Sequence, residues 1–114
     1  MAKTYVPNRG DIVWLEFDPQ AGHEQAGRRP AFVVSSRDYN QKVGLALFCP
    51  ITSRIKGYPF EVPLPKSGKV RGAVLSDQVK CLDWRARRAA RFDRASPEIL
   101  LEVTAKIVAL VDAA

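Results

Sequence analysis

The sequence predicts a small barrel-like β domain with a single C-terminal helix, and three observations lead there. Short apolar stretches rich in Val, Ile and Phe recur from residue 11 to residue 83, separated by Pro, Gly, Asp and Asn at roughly the eight-to-twelve-residue spacing of all-β domains. From residue 96 onward the apolar residues switch to helical spacing. The 114 residues, 46% hydrophobic and 26% charged, suffice for one compact core and fall short of two ordinary domains, so residues 1–114 read as a single domain.

Each element has its own justification. "DIVWLEFDP" (11–19) alternates Ile12, Trp14 and Glu16 with Val13, Leu15 and Phe17 and stops at Asp18-Pro19, which is a strand closed by a turn signal. "PAFVVSS" (30–36) is a continuous β-branched run, expected to be a strand buried on both faces. The polar "RDYNQKVG" (37–44) suits a turn or a short helical turn, and "LALFCPIT" (45–52) a third strand. After the basic loop "SRIKGYP" (53–59) comes "FEVPL" (60–64), with Phe60, Val62 and Leu64 on one side and prolines at 63 and 65 that place it at a sheet edge or a bulge. "AVLSDQVKCLD" (73–83) contains a fifth strand with polar residues in its middle, and the arginine-rich "RARRAARFDR" after Trp84 suits a turn leading into a short strand. In the last segment Ser96 is the expected N-cap, Pro97 the first helical residue and Glu98 part of the first turn; Ile99, Val103, Ile107 and Leu110 or Val111 form the stripe that packs on the sheet.

The formal charge of +6 is unevenly spread. Residues 54–94 carry eleven Lys or Arg against four acids, whereas 1–53 carry six against five and 95–114 one against three. A cationic excess concentrated in one segment suits a surface for nucleic acid or an acidic protein partner, although a merely solvated basic face has the same composition. No apolar run approaches a membrane span or a secretory signal core, so a cytoplasmic protein without membrane attachment is expected. Cys49 and Cys81 both lie in apolar, strand-like runs and are expected to be buried free thiols.

One histidine and two separated cysteines make a poor zinc ligand set, and glycine motifs that cradle phosphates are absent, so neither a metal nor a nucleotide cofactor is indicated. A serine hydrolase assembled from Ser35 or Ser76 with His23 lacks any nucleophile-turn signature. What remains is "AGHEQAGRRP" (21–30), where His23, Glu24, Arg28 and Arg29 sit in one glycine-containing loop. Attack of an RNA 2'-hydroxyl on the adjacent phosphate needs a proton acceptor, a proton donor and positive charge, and these side chains supply all three. By residue type alone the same loop also reads as a solvated turn, and Thr52 as an ordinary strand-end threonine.

The stretches "GDIVWLEFDPQAGHEQAGRRPAFVVS" (10–35), "YN" (39–40), "PITSRIKGYPFEV" (50–62) and "LSDQVKCLDWRAR" (75–87), followed by the closing helix, resemble the MazF/PemK (Kid) family of toxin endoribonucleases of type II toxin–antitoxin systems. The resemblance covers most of the chain in the family's order, and "EQAGRRP" and "KGYPFEV" are idiosyncratic strings. It implies an SH3-like, CcdB/PemK-type barrel that forms a homodimer and cleaves single-stranded mRNA without metal, leaving 2',3'-cyclic phosphate and 5'-hydroxyl ends. It also implies an acidic, MazE-like antitoxin as inhibitor. The family's central catalytic pair maps onto Arg29 and Thr52, and Glu24 lands on a glutamate also implicated in activity. In the PemK/Kid branch activity is attributed to a histidine, an aspartate and an arginine; His23 and Asp77 match the first two, but Leu75 occupies the third position, which leaves His23 and Asp77 as substrate-contacting groups. Arg28, Lys56, Gln78, Lys80, Arg85 and Arg87 are expected along the RNA groove, with Tyr58 and Phe60 available for base stacking. The resemblance points to an ACA-containing recognition sequence. Two alternatives remain open: a CcdB-like inhibitor of DNA gyrase that acts by contact, and a non-catalytic barrel that binds through its basic face.

Overall fold

A computed structural model describes residues 5–17 and 27–112. The elements run β1 (Asp11–Phe17), β2 (Gly27–Val33), α1 (Arg37–Val43), β3 (Ala46–Thr52), β4 (Glu61–Pro63), β5 (Ala73–Leu75), β6 (Lys80–Leu82), β7 (Ala90–Arg94) and α2 (Pro97–Val111). The strands join in one antiparallel sheet of order β4-β5-β3-β2-β1-β7, with β6 also on β3.

β3 is the strand on which the sheet bends. One of its edges pairs with β2, Ala31 facing Pro50 and Val33 facing Phe48. Along the other edge Ala46–Phe48 pair with β6, and Ile51–Thr52 then pair with β5. The bend gives the sheet two apolar faces. Ile12, Phe32, Cys49, Ile51, Val62, Val74 and Val103 form one core under α2, and Val13, Leu15, Phe17, Ala31, Val33, Phe48 and Trp84 form the other. β2 is accordingly buried on both faces at Ala31–Val33, as its β-branched run requires.

Several expectations needed adjusting. β2 begins at Gly27, three residues earlier than the apolar run, because Gly27, Arg28 and Arg29 pair with Phe17, Glu16 and Leu15 while their side chains stay in solvent. The stretch 73–83 is two strands: Ser76 and Asp77 make a turn in which Gln78 N–H donates to Leu75 O at 3.1 Å. The polar segment after β2 takes the helical of its two expected forms, α1, ended by Gly44 in the left-handed region. Its Asn40 is fully buried, donating to Pro7 O at 2.8 Å and accepting at its own carbonyl from Trp84 Nε1 at 3.0 Å. Cys49 is buried as expected, but Cys81 is exposed, since β6 is a three-residue outer strand.

α2 starts as its sequence dictates: Ser96 Oγ accepts from Ile99 N–H at 3.3 Å and Pro97 occupies the first turn. Ile99, Val103 and Ile107 pack on the sheet. Leu110 and Val111 at the end of the stripe do not, and stay exposed at 42% and 81%. β4 is an edge strand with Pro63 exposed, in keeping with its prolines. No helix among the described residues is long and apolar enough to cross a membrane.

Candidate functional site

Four of the expected site residues meet around one cavity of about 360 Å³: Thr52, Lys56, Asp77 and Gln78. Tyr58 and Phe60 line it too, together with Arg54, Glu61 and Leu75. Each position follows from local structure. Thr52 ends β3 and pairs with Ala73. Lys56 and Tyr58 belong to the exposed loop that leaves β3, and Asp77 and Gln78 to the turn that separates β5 from β6. The polar residues in the middle of 73–83 thus break the strand and in doing so face the cavity.

Arg29 lies on the neighbouring strand β2. The β2–β3 register, Val33 to Phe48 through Ala31 to Pro50, brings Arg29 level with Thr52 when continued by two residues. Side-chain alternation puts both on the face of Leu15, Ala31 and Phe48, because Arg29 lies opposite Leu15 and Thr52 is an even number of residues from Phe48. Pro30 and Pro50, which have no N–H to donate, stand where this ladder stops. Arg29 is exposed and lies outside the residues lining the cavity.

The remaining expected residues lie elsewhere. Arg28 projects from the opposite face of β2, paired with Glu16, and its Nη2 donates to Arg88 O at 3.0 Å. Arg87 is half-buried and donates from Nη1 to Glu16 O at 3.1 Å, while Arg88 pairs with the Glu16 carboxylate at 3.2 Å. These arginines form a second basic patch beside β1, away from the cavity lining. Lys80 faces Phe48, so along β3 it lies four residues, about 13 Å, from the level of Thr52. His23 and Glu24 lie outside the described residues; Phe17 and Gly27, the described residues on either side, pair with each other, Gly27 two residues before Arg29.

Electrostatics and hydrogen bonds narrow the chemistry. Thr52 Oγ1 accepts from Arg54 N–H at 3.1 Å, and its own hydroxyl proton has only a marginal 3.5 Å contact with Arg54 O, leaving it available to a ligand oxygen. The Cys49 thiol is pushed up to about 12 by burial, reinforced by the Asp77 carboxylate, so it does not supply a thiolate at neutral pH. Ser35 is occupied with Asn40 and Leu47, and Ser76 is fully buried, which places neither as an exposed nucleophile.

Three structural contributors were not singled out from sequence. Glu61, in the apolar-looking "FEV", is buried and accepts from Lys56 N–H at 3.0 Å and Gly57 N–H at 2.8 Å; a lone charge within an apolar strand is the signal that marks it. Gly72 has φ of +124°, and a Cβ there would lie 1.9 Å from Thr52 O, so the threonine backbone occupies space only glycine leaves open. Lys106 of α2 donates its ammonium to Pro59 O, a link no local pattern discloses.

Comparison with known proteins identifies the class. The family described as PemK-like, MazF-like toxin of type II toxin–antitoxin system matches residues 8–111, and the chain belongs to that family. It is 50% identical over 112 residues to the endoribonuclease toxin MazF of Escherichia coli K12, covering 97% of this chain and 99% of the relative. The crystal structure of MazF (Form-I) from Deinococcus radiodurans superposes with a TM-score of 0.90 at 53% identity, covering 96% of this chain and 99% of that one. The MazE-MazF (Form-II) structure from the same organism matches with a TM-score of 0.88 at 52% identity, over 97% and 100% of the two chains. The mainly antiparallel sheet with its C-terminal helix is therefore the PemK/CcdB-type fold that the motifs implied.

Proposed function

We propose that the protein is a sequence-specific endoribonuclease toxin that cleaves single-stranded mRNA without a metal ion and thereby stops translation and growth. The observation that carries this reading is the cavity at the end of β3, where Thr52 meets Lys56, Asp77 and Gln78, with Arg29 on the adjoining strand β2 two residues beyond its last pair with β3. Half-identical relatives named as endoribonucleases support it.

In the reaction the 2'-oxygen forms a bond to phosphorus and the bond from phosphorus to the 5'-oxygen breaks. The products are a 2',3'-cyclic phosphate and a 5'-hydroxyl. The 2'-proton passes to a base and the leaving 5'-oxygen takes up a proton, so no water is consumed. Arg29 neutralises the charge that builds on the equatorial oxygens, its planar fork matching phosphate geometry. Thr52, held by the Arg54 amide, donates its hydroxyl proton to a phosphoryl oxygen. Glu24 is the carboxylate proposed to take part in proton transfer, with His23, Asp77 and Gln78 contacting substrate. Lys56 and Lys80 meet backbone phosphates, and Arg28 and Arg87 do so from the second basic patch. The active form is a homodimer in the cytoplasm, restrained by an acidic, MazE-like antitoxin whose charge complements the cationic 54–94 segment.

Purified protein incubated with a defined RNA in EDTA tests this directly. Discrete cuts with cyclic phosphate ends, and a fall of roughly 10²–10³ in kcat for Arg29→Ala, are expected. Intact RNA together with inhibited gyrase would establish the CcdB-like alternative. Retention of RNA without cutting would establish a binding barrel.

A further inference from the structure

We propose that Glu61 and Lys106 are positioning residues that hold the 53–60 loop as a preformed receptor for one unstacked base of single-stranded RNA, with Lys56 and Tyr58 as the side chains that touch it; the inference rests on the nuclease reading. Residues 53–59 are all exposed, and this segment forms no strand. Left to itself, such a loop would have to be ordered each time RNA binds, at a cost in affinity. Here two anchors order it in advance.

The first anchor is the Glu61 carboxylate, 7% exposed at the wall of the cavity. Its Oε1 accepts from Lys56 N–H at 3.0 Å and Gly57 N–H at 2.8 Å, and its Oε2 lies 3.3 Å from the same Lys56 nitrogen. Hydrogen bonds to an ionised acceptor are the strong kind, and a buried carboxylate requires them. Gly57, with φ of +82°, adopts the left-handed conformation that this turn needs. Glu61 N–H donates back to Tyr58 O at 3.1 Å, which closes the turn. The second anchor comes from outside the loop: the Lys106 ammonium of α2 donates to Pro59 O.

Held at both places, the loop sets the Lys56 ammonium 5.8 Å from the centre of the Tyr58 ring, which is 61% exposed. An exposed aromatic face beside a cation, over a cavity of small-molecule size with Asp77 and Gln78 in its wall, suits one splayed nucleotide better than a stacked run. Glu61 and Lys106 contribute by fixing that geometry.

The test compares wild type with Glu61→Gln, Glu61→Asp and Lys106→Met. Cleavage of an RNA spanning a mapped cut site yields KM and kcat, and the same oligonucleotide with a 2'-deoxy residue at the scissile position yields Kd independently of chemistry. Amide hydrogen exchange of the free proteins reports the loop. Glu61→Gln and Lys106→Met are each expected to weaken binding and raise KM about tenfold, the scale of one lost charge-assisted hydrogen bond, with kcat within about twofold. Glu61→Asp should recover part of the loss. In Glu61→Gln the amides of Lys56 and Gly57 should exchange faster while β1, β2 and β3 exchange as in wild type. Unchanged Kd and KM despite faster loop exchange would overturn the inference. So would kcat and global stability falling together in Lys106→Met, since that is the mark of a merely structural link. If wild type itself leaves RNA intact, the nuclease reading fails first, and the exchange data alone still report whether the anchors hold the loop.

Discussion

At Gly72 an added methyl group would lie 1.9 Å from the Thr52 carbonyl oxygen, with the Thr52 carbonyl carbon and Ser53 Cα also within 3.2 Å. The backbone there is also in a conformation, φ +124°, that other residues resist. Gly72→Ala is expected to destabilise the fold by about 2–3 kcal/mol and to lower kcat by displacing Thr52. Urea unfolding and turnover measured on the same preparation check both effects. Cys49 gives a pH signature at the same scale. Its thiol keeps its proton in the folded state up to about 12, whereas the ordinary value is 9.0, so above pH 9 the unfolded chain binds fewer protons than the native one. The Cys49 contribution to stability is thus complete below pH 9 and is lost as pH rises towards 12. The Tyr5 phenol, raised by burial and its hydrogen bond to Asp11, adds to the same alkaline decline. In urea titrations across pH 8–11, Cys49→Ala should show a shallower fall with pH than wild type, whatever its absolute stability.

At the scale of the element, α2 and the broken 73–83 stretch show what local pattern can and cannot say. The N-terminal signals of α2 are local: a cap side chain, a proline that needs no N–H donor, and an acid in the first turn, all of which take their expected places. Ser96→Ala removes the hydrogen bond to Ile99 N–H and should cost about 1 kcal/mol, or about 4 °C in Tm, by thermal unfolding followed through circular dichroism. The far end of the stripe departs from the expected packing because helical spacing states which residues share a face but not how far the sheet beneath extends; Leu110 and Val111 lie past its cover. The 73–83 stretch read as one strand because apolar residues flank Ser76, Asp77 and Gln78 on both sides. Its division depends on β3, which offers its edge first to β6 and then, round the bend, to β5.

The whole molecule carries a net charge of +6, and its cations are unevenly placed. Arg54 and Lys56 are at the cavity, Arg29 lies on β2 and Lys80 on β6, and Arg28, Arg87 and Arg88 lie beside β1. With all of these except Arg88 on phosphates, log Kd for the non-cleavable RNA should change with log salt with a slope of about 4 in magnitude, from roughly 0.7 per phosphate neutralised on a single strand. Replacing Arg54 with alanine should reduce that slope by about 0.7. A slope near zero would mean that binding does not use the cationic surface.

Composition, turn chemistry and apolar period were enough to determine a small β domain with a terminal helix, the capped start of that helix, and a proline-marked strand over 60–64 confined to a sheet edge or a bulge. Those features follow from backbone conformation and from neighbours in the chain. Idiosyncratic strings in the sequence also marked the family and the residues of its candidate site. Tertiary structure alone decided that Arg29 and Thr52 share a face while Arg28 turns away, that Gly72 makes room for the Thr52 backbone, and that Glu61 and Lys106 hold the loop bearing Lys56. The physical reason is range. Each of these contacts depends on strand register, on the bend in β3 or on where a helix crosses the sheet, and such quantities exist only once residues distant along the chain have packed together.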